Sequence, residues 1–450
     1  MCPSTAIEMS QGLEDGTLDP VELAEAAFDA IVSHGDDAIF IETTRDRAMT
    51  EAHAARLRRR AGLPAGPLDG VPMAWKDLFD LRGRVTTAGA IVTKADKPAE
   101  TDAPVVATAH RAGLVCTGTV NMTEFAYSGI GLNPHYGTPR NVHAPKGQRR
   151  SPGGSSSASG VVVAAGIVPL SMGSDTGGSV RIPASFNGVV GYKTSFGRYP
   201  MKGVYPLSPS LDTIGPLAHT ASDCALLDAV LRGKCAAEAD AADPADLTFV
   251  VPTEVFFDAL SPAVAANFDA TIARLEAAGA RVRRISMPEL TELSDLVARH
   301  GVLAGAEALA FHHARVHGPD ADRMDARVVR RIRLADTMTA VDVLLLQQAR
   351  TRLMAATAAR IGSAIVLCPT TPTTAMDIEP LEADQDEFFR HNGLTLRNTS
   401  LGNLLGWCGV SIPNGTDDDG MPTGFLLSAP EGRDTALLSA AMGCEDIIRG

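Results

Sequence analysis

The stretch "LTFVVPTEVFFDALSPAVAANFDATIARLEAAGARVRRIS", residues 247–286, contains a strand, a helix and a second strand in succession. Its opening apolar run, 247–252, is typical of a buried strand. Residues 263–279 carry apolar side chains at helical spacing, and 280–286 form the second strand. Residues 102–122 likewise give a helix followed by a buried strand. This alternation favours the α/β fold class, and we predict a central mixed, largely parallel twisted sheet covered by helices.

Composition and charge limit the classes of protein to which the chain can belong. It has 450 residues, of which 45% are hydrophobic and 21% charged, enough for a large core. Its net charge of −13 disfavours a nucleic-acid partner, because binding to phosphates depends on clustered lysine and arginine. The longest apolar stretches, such as 161–170, are too short to span a bilayer, and the N-terminus lacks the pattern of an export signal. We therefore expect a cytoplasmic protein with neither a nucleic-acid nor a membrane partner.

The cysteines are odd in number, and no two of them have CxxC spacing. The seven positions are Cys2, Cys116, Cys224, Cys235, Cys368, Cys408 and Cys444. Such scatter is typical of reduced cysteines in a cytoplasmic chain and predicts neither a disulfide framework nor a zinc site.

The segment "SMGSDTGGSVRIPASFNG", residues 171–188, places Gly177 and Gly178 directly before Ser179. Glycine is normally kept where the backbone must adopt positive φ or let another group approach closely. Successive exposed N–H groups form a concave site for an anion, either a bound phosphate or the oxyanion of an acyl-transfer intermediate. A plain turn with a surface serine is the alternative that this segment alone leaves open.

Several other chemistries are disfavoured by motifs that the chain lacks. No lysine follows Gly177 and Gly178 as a phosphate-binding P-loop requires, and no GxGxxG follows a strand. The GxSxG elbow of the α/β-hydrolases and the SxxK pair are also absent. His313 and His317 could face one metal ion on a helix, but neither HExxH nor a carboxylate pair accompanies them. We interpret them as solvent or core histidines, and we expect no metal and no cofactor.

Ser179 needs a base, because a serine hydroxyl is a poor nucleophile until another group accepts its proton. Two further segments bear on this requirement. "LDGVPMAWKDLFDLRG", residues 68–83, places Lys76 after an apolar strand-like run, and "SPGGSSSASG", residues 151–160, is a second Gly-Ser run. The second segment leads directly into a buried helix pattern, which argues against a flexible linker.

These three segments resemble the amidase signature family, whose hallmark is a Ser–cis-Ser–Lys triad. In the family's order, the chain reads "GVPMAWKD", "SPGGSSSASG" and "GSDTGGSVRIPASFNGVVGYKTSFGR". The resemblance continues almost end to end, through "DPVELAEAAFDAI" near the start, "GTVNMTEFAYSG" at 118–129, "SPSLDTIGPLAHTASDCALL" at 208–227, "VLCPTTPTTA" at 366–375 and "NLLGWCGVSIPNG" at 403–415.

The resemblance implies a role for each residue of the triad. Lys76 takes the position of the base, Ser155 that of the cis-serine, with a cis peptide bond after Gly154, and Ser179 that of the nucleophile. Lys76 must be neutral to accept a proton, so burial among apolar neighbours has to lower its pKa. The residues whose backbone amides the resemblance assigns to an oxyanion hole are Thr176, Gly177 and Gly178, together with Ser179 itself.

Other matched positions are expected to support the site. Asp175 and Arg181 match residues that brace the loop, although an ordinary ion pair would look the same. The segment that lines the acyl pocket in relatives corresponds here to Ala126, Tyr127, Ser128 and Gly129. Three departures from the family pattern are Ser157 in place of a glycine, Trp75 in place of a smaller apolar residue, and the missing proline after Lys193. Trp75 could narrow the pocket or serve the core.

We expect one domain over residues 1–450. Within it, we predict an N-terminal helical segment at 1–60, a catalytic core at 68–230 and a helical lid or specificity segment at 290–360. Residues 236–246 are the best linker candidate, but the strand that follows continues the same sheet pattern.

The resemblance implies a serine amidohydrolase that cleaves the C–N bond of a small carboxylic amide, and also anilides, esters or carbamates (urethanes) by the same acyl-enzyme route. One alternative is the glutaminase (A-type) subunit of a tRNA-dependent amidotransferase, which needs partner subunits. A non-catalytic scaffold subunit is a third alternative, which the intact triad disfavours. The expected partner is a small amide substrate, and a homodimer is the one assembly considered.

Overall fold

The computed structural model describes residues 5–450, whose eleven strands form one sheet with helices packed against it. In chain order, the strands are β1 (Phe40–Thr43), β2 (Pro72–Lys76), β3 (Val115–Val120), β4 (Leu170–Asp175), β5 (Val190–Lys193), β6 (Thr213–Ala218), β7 (Thr248–Pro252), β8 (Arg281–Ile285), β9 (Ile365–Pro369), β10 (Cys408–Thr416) and β11 (Pro422–Ala429). Across the sheet, they lie in the order β1-β3-β2-β4-β6-β5-β10-β11-β9-β7-β8. The predicted α/β fold with a central mixed sheet is confirmed.

Parallel pairing occurs in two regions of the sheet. β2 lies parallel to both β3 and β4, and β7 lies parallel to both β8 and β9. The remaining neighbours are antiparallel. Antiparallel pairing is thus more extensive than the predicted largely parallel sheet suggests, because loops without a crossover helix join β5 to β6 and β10 to β11.

Fifteen α-helices surround the sheet in the described part of the chain. They are α1 (Ala6–Glu14), α2 (Pro20–His34), α3 (Arg45–Arg60), α4 (Pro104–Arg111), α5 (Ser157–Ala164), α6 (Arg181–Asn187), α7 (Ala221–Leu231), α8 (Pro262–Ala277), α9 (Pro288–His300), α10 (Leu303–Val316), α11 (Ala326–Arg333), α12 (Ala340–Ile361), α13 (Glu379–Ala383), α14 (Gln385–Leu404) and α15 (Asp434–Arg449).

The N-terminal helices show how local sequence sets helix boundaries. α2 begins directly after Asp19, because the Asp19 carboxylate accepts hydrogen bonds from the N–H groups of Val21 and Glu22. α1 was not predicted as a separate helix. It begins with a capping box, in which Thr5 and Glu8 each accept a hydrogen bond from the other's backbone N–H.

The segment 290–360 is mostly helical, as predicted, and contains most of α9 together with α10, α11 and α12. The linker candidate, 236–246, is irregular apart from a short 3₁₀ turn, and β7 directly after it joins the common sheet. The division into an N-terminal segment, a catalytic core and a lid stays a prediction.

The parallel pairing of β2 and β4 brings the predicted motifs together. Lys76 is the last residue of β2, and Asp175 is the last residue of β4. Because the carboxyl ends of neighbouring parallel strands lie at the same edge of a sheet, Lys76 and the segment that follows Asp175 meet there.

In residues 5–450, no helix is long and apolar enough to cross a membrane. Cys2 lies outside the described residues; the other six cysteines are free thiols, and of these only Cys235 is exposed. His313 and His317 have ring centroids 4.7 Å apart, and His317 Nε2 lies 3.0 Å from Asp336 Oδ1. The described chain contains no group of three or more His, Cys, Asp or Glu side chains arranged to hold a metal ion.

Candidate active site

Lys76 is completely buried at the end of β2, where its amine meets two serine hydroxyls. Nζ lies 2.7 Å from Ser155 Oγ and 2.8 Å from Ser174 Oγ. Of these two neighbours, the sequence predicts only Ser155. Ser174 lies within the quoted motif, one position before Asp175, but no feature of the motif alone connects its side chain with Lys76.

Burial lowers the pKa of Lys76 to about 7, although the carboxylates of Asp175 and Asp212 act in the opposite direction. An ordinary lysine is almost entirely protonated at neutral pH, since its reference pKa is about 10.4. In this environment, a substantial fraction of Lys76 is neutral near pH 7. The amine can therefore accept a proton from a hydroxyl within hydrogen-bond reach.

Ser155 is held by a tightly packed loop before α5. The peptide bond between Gly154 and Ser155 is cis. The Gly154 N–H donates to the Gly129 carbonyl at 2.8 Å, and the Ser155 carbonyl accepts from the Thr123 N–H at 3.1 Å. These backbone bonds fix Ser155, whose side chain is fully buried, against the amine of Lys76.

Ser179 lies next to this loop. Its carbonyl accepts a hydrogen bond from the Ser156 N–H at 3.2 Å, which joins the two Gly-Ser segments. The Ser179 hydroxyl has no hydrogen-bond partner among the described residues, and Ser179 lines a cavity. The fold thus places Ser155 in contact with Lys76 and joins the backbone of Ser179 to the loop that holds Ser155. Ser179 itself is accessible to a molecule bound in the cavity.

The loop from Thr176 to Ser179 exposes backbone donors. The N–H groups of Thr176, Gly177 and Ser179 have no acceptor among residues 5–450. The Gly178 N–H differs, because it donates to Asp175 Oδ1 at 2.8 Å. Of the amides expected to hold an oxyanion, that of Gly178 is therefore already bound to a carboxylate in this structure.

The two glycines of the loop serve different purposes. Gly178 has a φ of +134°, and a Cβ there would lie 2.1 Å from Thr399 Oγ1. Gly177 does not have a positive φ, and its Cβ would make ordinary contacts with Leu396 and Ser400, both of which line the cavity. Backbone geometry therefore requires glycine at Gly178 and does not require it at Gly177. At Gly177, a side chain would instead take up space in the cavity.

Asp175 and Arg181, which flank the loop in the sequence, form a buried ion pair. Arg181 Nε and Nη2 donate to the two carboxylate oxygens of Asp175 at 3.0 and 2.9 Å, and both side chains are almost completely buried. Burial alone would raise the pKa of Asp175, but Arg181 lowers it well below its usual range. Asp175 remains charged and can orient the N–H groups of Gly178 and Val180.

Helix α14 contributes two further contacts to the loop, through residues that the sequence motifs did not identify. Thr399 Oγ1 donates to the Gly177 carbonyl at 2.6 Å, and Asn403 Nδ2 donates to Asp175 Oδ1 at 2.9 Å. On the opposite side, Thr176 Oγ1 donates to Asp212 Oδ1 at 2.5 Å. Both residues of α14 lie more than 200 positions from the loop. Asn403 is the first residue of the quoted segment 403–415, but nothing in that segment connects its side chain with Asp175.

The cavity beside Ser179 has a volume of about 280 Å³, just below the range of roughly 300–1,000 Å³ that is usual for small-molecule sites. Its wall is mostly apolar, with side chains that include Leu207, Leu211, Val297, Val302, Leu396 and Leu404. A depression of about 650 Å³ elsewhere on the surface contains none of the predicted site residues. It is lined by residues 239–242 together with Gly432, Arg433, Thr435, Ala436 and Ser439.

Three of the four predicted pocket residues line this cavity: Ala126, Tyr127 and Ser128. Gly129 does not line it, and its N–H donates to Asn392 Oδ1 at 2.8 Å. Trp75 is fully buried, with its ring 5.0 Å from that of Phe79, and serves the core instead of narrowing the pocket.

Several known proteins are similar to this chain over most of its length. The sequence profile of the Amidase family matches residues 22–438. The chain is 36% identical over 411 residues to 2-amino-5-chloromuconic acid deaminase of Comamonas testosteroni, covering 89% of this chain and 87% of the relative. It is also 33% identical over 438 residues to the A-type subunit of the glutamyl-tRNA(Gln) amidotransferase of Cupriavidus necator, covering 86% and 85%.

Among solved structures, a crystal structure of an amidase superposes with a TM-score of 0.86 at 30% identity, covering 98% of this chain and 99% of the other. An inhibitor-bound chain from a complex described as revealing the origins of an s-triazine catabolic enzyme gives 0.86 at 29%, covering 98% of both chains. Since the family profile and these relatives extend over most of the chain, the protein belongs to the amidase signature family and is a hydrolase that acts on carbon–nitrogen bonds.

Proposed function

We propose that this protein is a free-standing serine amidohydrolase, which cleaves the C–N bond of a small carboxylic amide through an acyl-enzyme on Ser179. The observation that carries the proposal is the position of Lys76 Nζ, buried and 2.7 Å from Ser155 Oγ. A lysine whose pKa is lowered to about 7 can act as a base near neutral pH.

In the proposed reaction, neutral Lys76 takes the proton of Ser155 while Ser155 takes that of Ser179. The Ser179 oxygen bonds to the acyl carbon and forms a tetrahedral oxyanion. The C–N bond then breaks, and the proton held by Lys76 returns through Ser155 to the departing amine. Attack by water on the resulting ester, with the same proton transfers, releases the carboxylic acid and restores Ser179.

The free N–H groups of Thr176, Gly177 and Ser179 would stabilise the oxyanion. Removal of one such donor typically costs about 3–4 kcal/mol of transition-state stabilisation. Asp175 would hold the loop in shape through its hydrogen bond from the Gly178 N–H. Asp175 and Arg181 are thus proposed as positioning residues.

Several leaving groups are compatible with this route, since amides, anilides, esters and carbamates share an acyl carbon that Ser179 could attack. The deaminase to which the chain is 36% identical supports ammonia as one leaving group. The cytoplasmic location and the homodimer considered from the sequence stay predictions.

A second candidate function is the glutaminase subunit of a tRNA-dependent amidotransferase. The 33% identity to the A-type subunit of a glutamyl-tRNA(Gln) amidotransferase favours it. Such a subunit would release ammonia from glutamine and would need partner subunits, whereas the first candidate acts alone.

Hydrolysis by the purified full chain tests the two candidates. The substrates are an aliphatic amide, an anilide, an aryl carbamate, an ester and glutamine. Turnover of the non-glutamine compounds that is lost in Ser179→Ala supports the free-standing amidohydrolase. The ester should also leave its acyl group on Ser179, detectable as a mass increase on the peptide that contains it.

Ser171→Ala is a matched control, because Ser171 is a buried serine of β4 whose hydroxyl has no hydrogen-bond partner in the described structure. It should keep full activity. Hydrolysis of glutamine alone would favour the glutaminase. Turnover that survives in Ser179→Ala, or a folded chain that hydrolyses none of the compounds, would overturn the free-standing amidohydrolase.

A further inference from the structure

One charged side chain, that of Arg331 in α11, lines the cavity beside Ser179. The other lining residues in the described structure are apolar, glycine, or neutral hydroxyl-bearing residues, with no carboxylate among them. A molecule bound in the cavity therefore meets a mostly apolar wall and one guanidinium group.

Arg331 contacts Tyr127 instead of an acid. Its Nη1 donates to the Tyr127 carbonyl at 3.1 Å, and its guanidinium carbon lies 4.2 Å from the centre of the Tyr127 ring. In residues 5–450, no carboxylate forms an ion pair with it, and burial lowers its pKa. The ring and the carbonyl hold the guanidinium in place without neutralising its charge.

The other arginines of α11 show that this is unusual. Arg327 pairs with Asp325 at 2.8 Å, and Arg330 pairs with Asp386 at 2.7 Å. Arg333 donates to the Val316 carbonyl, away from the cavity. Of these four arginines, only Arg331 lines the cavity, and it has no carboxylate partner among the described residues.

A partly buried cation without a counter-ion is costly, and a carboxylate within hydrogen-bond reach would offset that cost. Guanidinium groups bind carboxylates through two parallel N–H···O bonds. We propose that Arg331 binds a carboxylate of the substrate, so that the preferred substrates are amides that carry a second, anionic carboxyl group. This inference rests on the proposed amide hydrolysis at Ser179 and adds the substrate class to it.

The segment 290–360, predicted to determine specificity, would then do so through this residue. The sequence shows many arginines there and does not distinguish Arg331 from Arg330, its immediate neighbour. The fold separates them, because α11 presents the first to the cavity and the second to Asp386.

The test compares amides that differ in charge and little in length. The pairs are succinamic acid against succinamide, glutaramic acid against glutaramide, and N-acetylglycine against N-acetylglycinamide. In N-acetylglycine, the carboxylate lies on the amine side of the amide bond that would be cleaved. The wild-type chain should have at least a tenfold higher kcat/KM for the anionic member of one pair. Arg331→Gln should lower this anionic-to-neutral ratio by roughly 10- to 100-fold, as expected when a charged hydrogen bond is lost.

Two further variants separate recognition from structural support. Arg331→Lys keeps the charge and should retain part of the preference. Arg330→Gln removes the neighbouring arginine outside the cavity and should leave the ratio unchanged. If wild type shows no anionic preference, or if Arg331→Gln lowers both members of each pair equally while the protein stays folded, the inference is overturned.

Binding measured by calorimetry to the Ser179→Ala variant keeps the inference separate from the proposed reaction. The anionic amides should bind more tightly than their neutral partners, and the difference should disappear in Ser179→Ala combined with Arg331→Gln. This result would support carboxylate binding by Arg331 even if the wild-type chain hydrolysed none of the amides. A lack of hydrolysis would count against the proposed function alone. Equal binding of both members of a pair, or no binding of either, would count against the proposal that Arg331 binds a substrate carboxylate.

Discussion

Lys76 Nζ lies 2.8 Å from Ser174 Oγ, almost as close as it lies to Ser155 Oγ. The contact joins the ends of two parallel neighbours, β2 and β4. A neutral amine has two N–H donors and one lone pair. If one N–H donates to Ser174, the lone pair can face the hydroxyl proton of Ser155, as the proposed proton transfer requires.

Substitution of Ser174 tests whether this contact positions the base. Ser174→Ala should lower kcat by about tenfold or more with little change in KM, since Ser174 does not line the cavity. It should also shift the rising limb of the pH–rate profile to lower pH, because a hydrogen-bond acceptor that favours charged Lys76 is lost. Ser174→Thr keeps the hydroxyl and should restore part of the rate. An unchanged profile in Ser174→Ala would assign Ser174 a packing role only.

The pKa of Lys76, lowered to about 7 by burial, predicts the pH dependence of the wild type. The base acts in its neutral form, so kcat/KM should rise with pH, reach half its maximum near pH 7 and then level off. Rates measured from pH 5.5 to 9 on a substrate that does not titrate would check this. Subtraction of the Ser179→Ala rate removes hydrolysis by hydroxide. A profile that falls across this range would be incompatible with Lys76 as the base.

The residues of the proposed triad could be named from sequence motifs. Lys76, Ser155 and Ser179 come from separate segments, each with a distinctive motif. In the fold, Lys76 contacts Ser155, and the backbone of Ser179 contacts that of Ser156. Strand and helix alternation likewise predicted the α/β class. It could not predict the antiparallel half of the sheet, because pairing direction depends on loop paths that have no periodic signal.

Residues that act from a distance could not be found in the sequence. Thr399 and Asn403 reach the loop at Asp175 only because α14 crosses it in the folded chain. Arg331 became distinctive only when the fold showed which α11 side chains have acidic partners. A sequence motif indicates local structure only, whereas these contacts form between segments that are distant in the sequence and depend on tertiary packing.

The two glycines of the loop allow a direct comparison of stability and activity. Gly178→Ala should destabilise the protein by roughly 3 kcal/mol, because it combines a disfavoured φ with a clash against Thr399. Gly177→Ala should fold with near wild-type stability but lower kcat/KM at least tenfold, since its methyl group would lie in the cavity. Thermal unfolding and steady-state kinetics of both variants measure the difference. Full activity of Gly177→Ala on all substrates would show that a side chain at position 177 does not contact the bound substrate.

Because the ion pair of Asp175 and Arg181 is buried, we expect its loss to lower the free energy of unfolding far more than the loss of an exposed ion pair. Arg181→Met leaves the Asp175 carboxylate buried without its cation and should lower the free energy of unfolding by roughly 3–5 kcal/mol. Because the native pKa of Asp175 lies below that of the unfolded chain, its stabilising contribution is present above about pH 4 and is lost as pH falls through the native pKa. Urea unfolding at pH 7 therefore measures the full effect. Arg352→Met, which breaks an exposed pair with Glu292, is the matched control and should leave the urea midpoint almost unchanged. Equal shifts in the two variants would show that burial does not set the strength of the Asp175 pair.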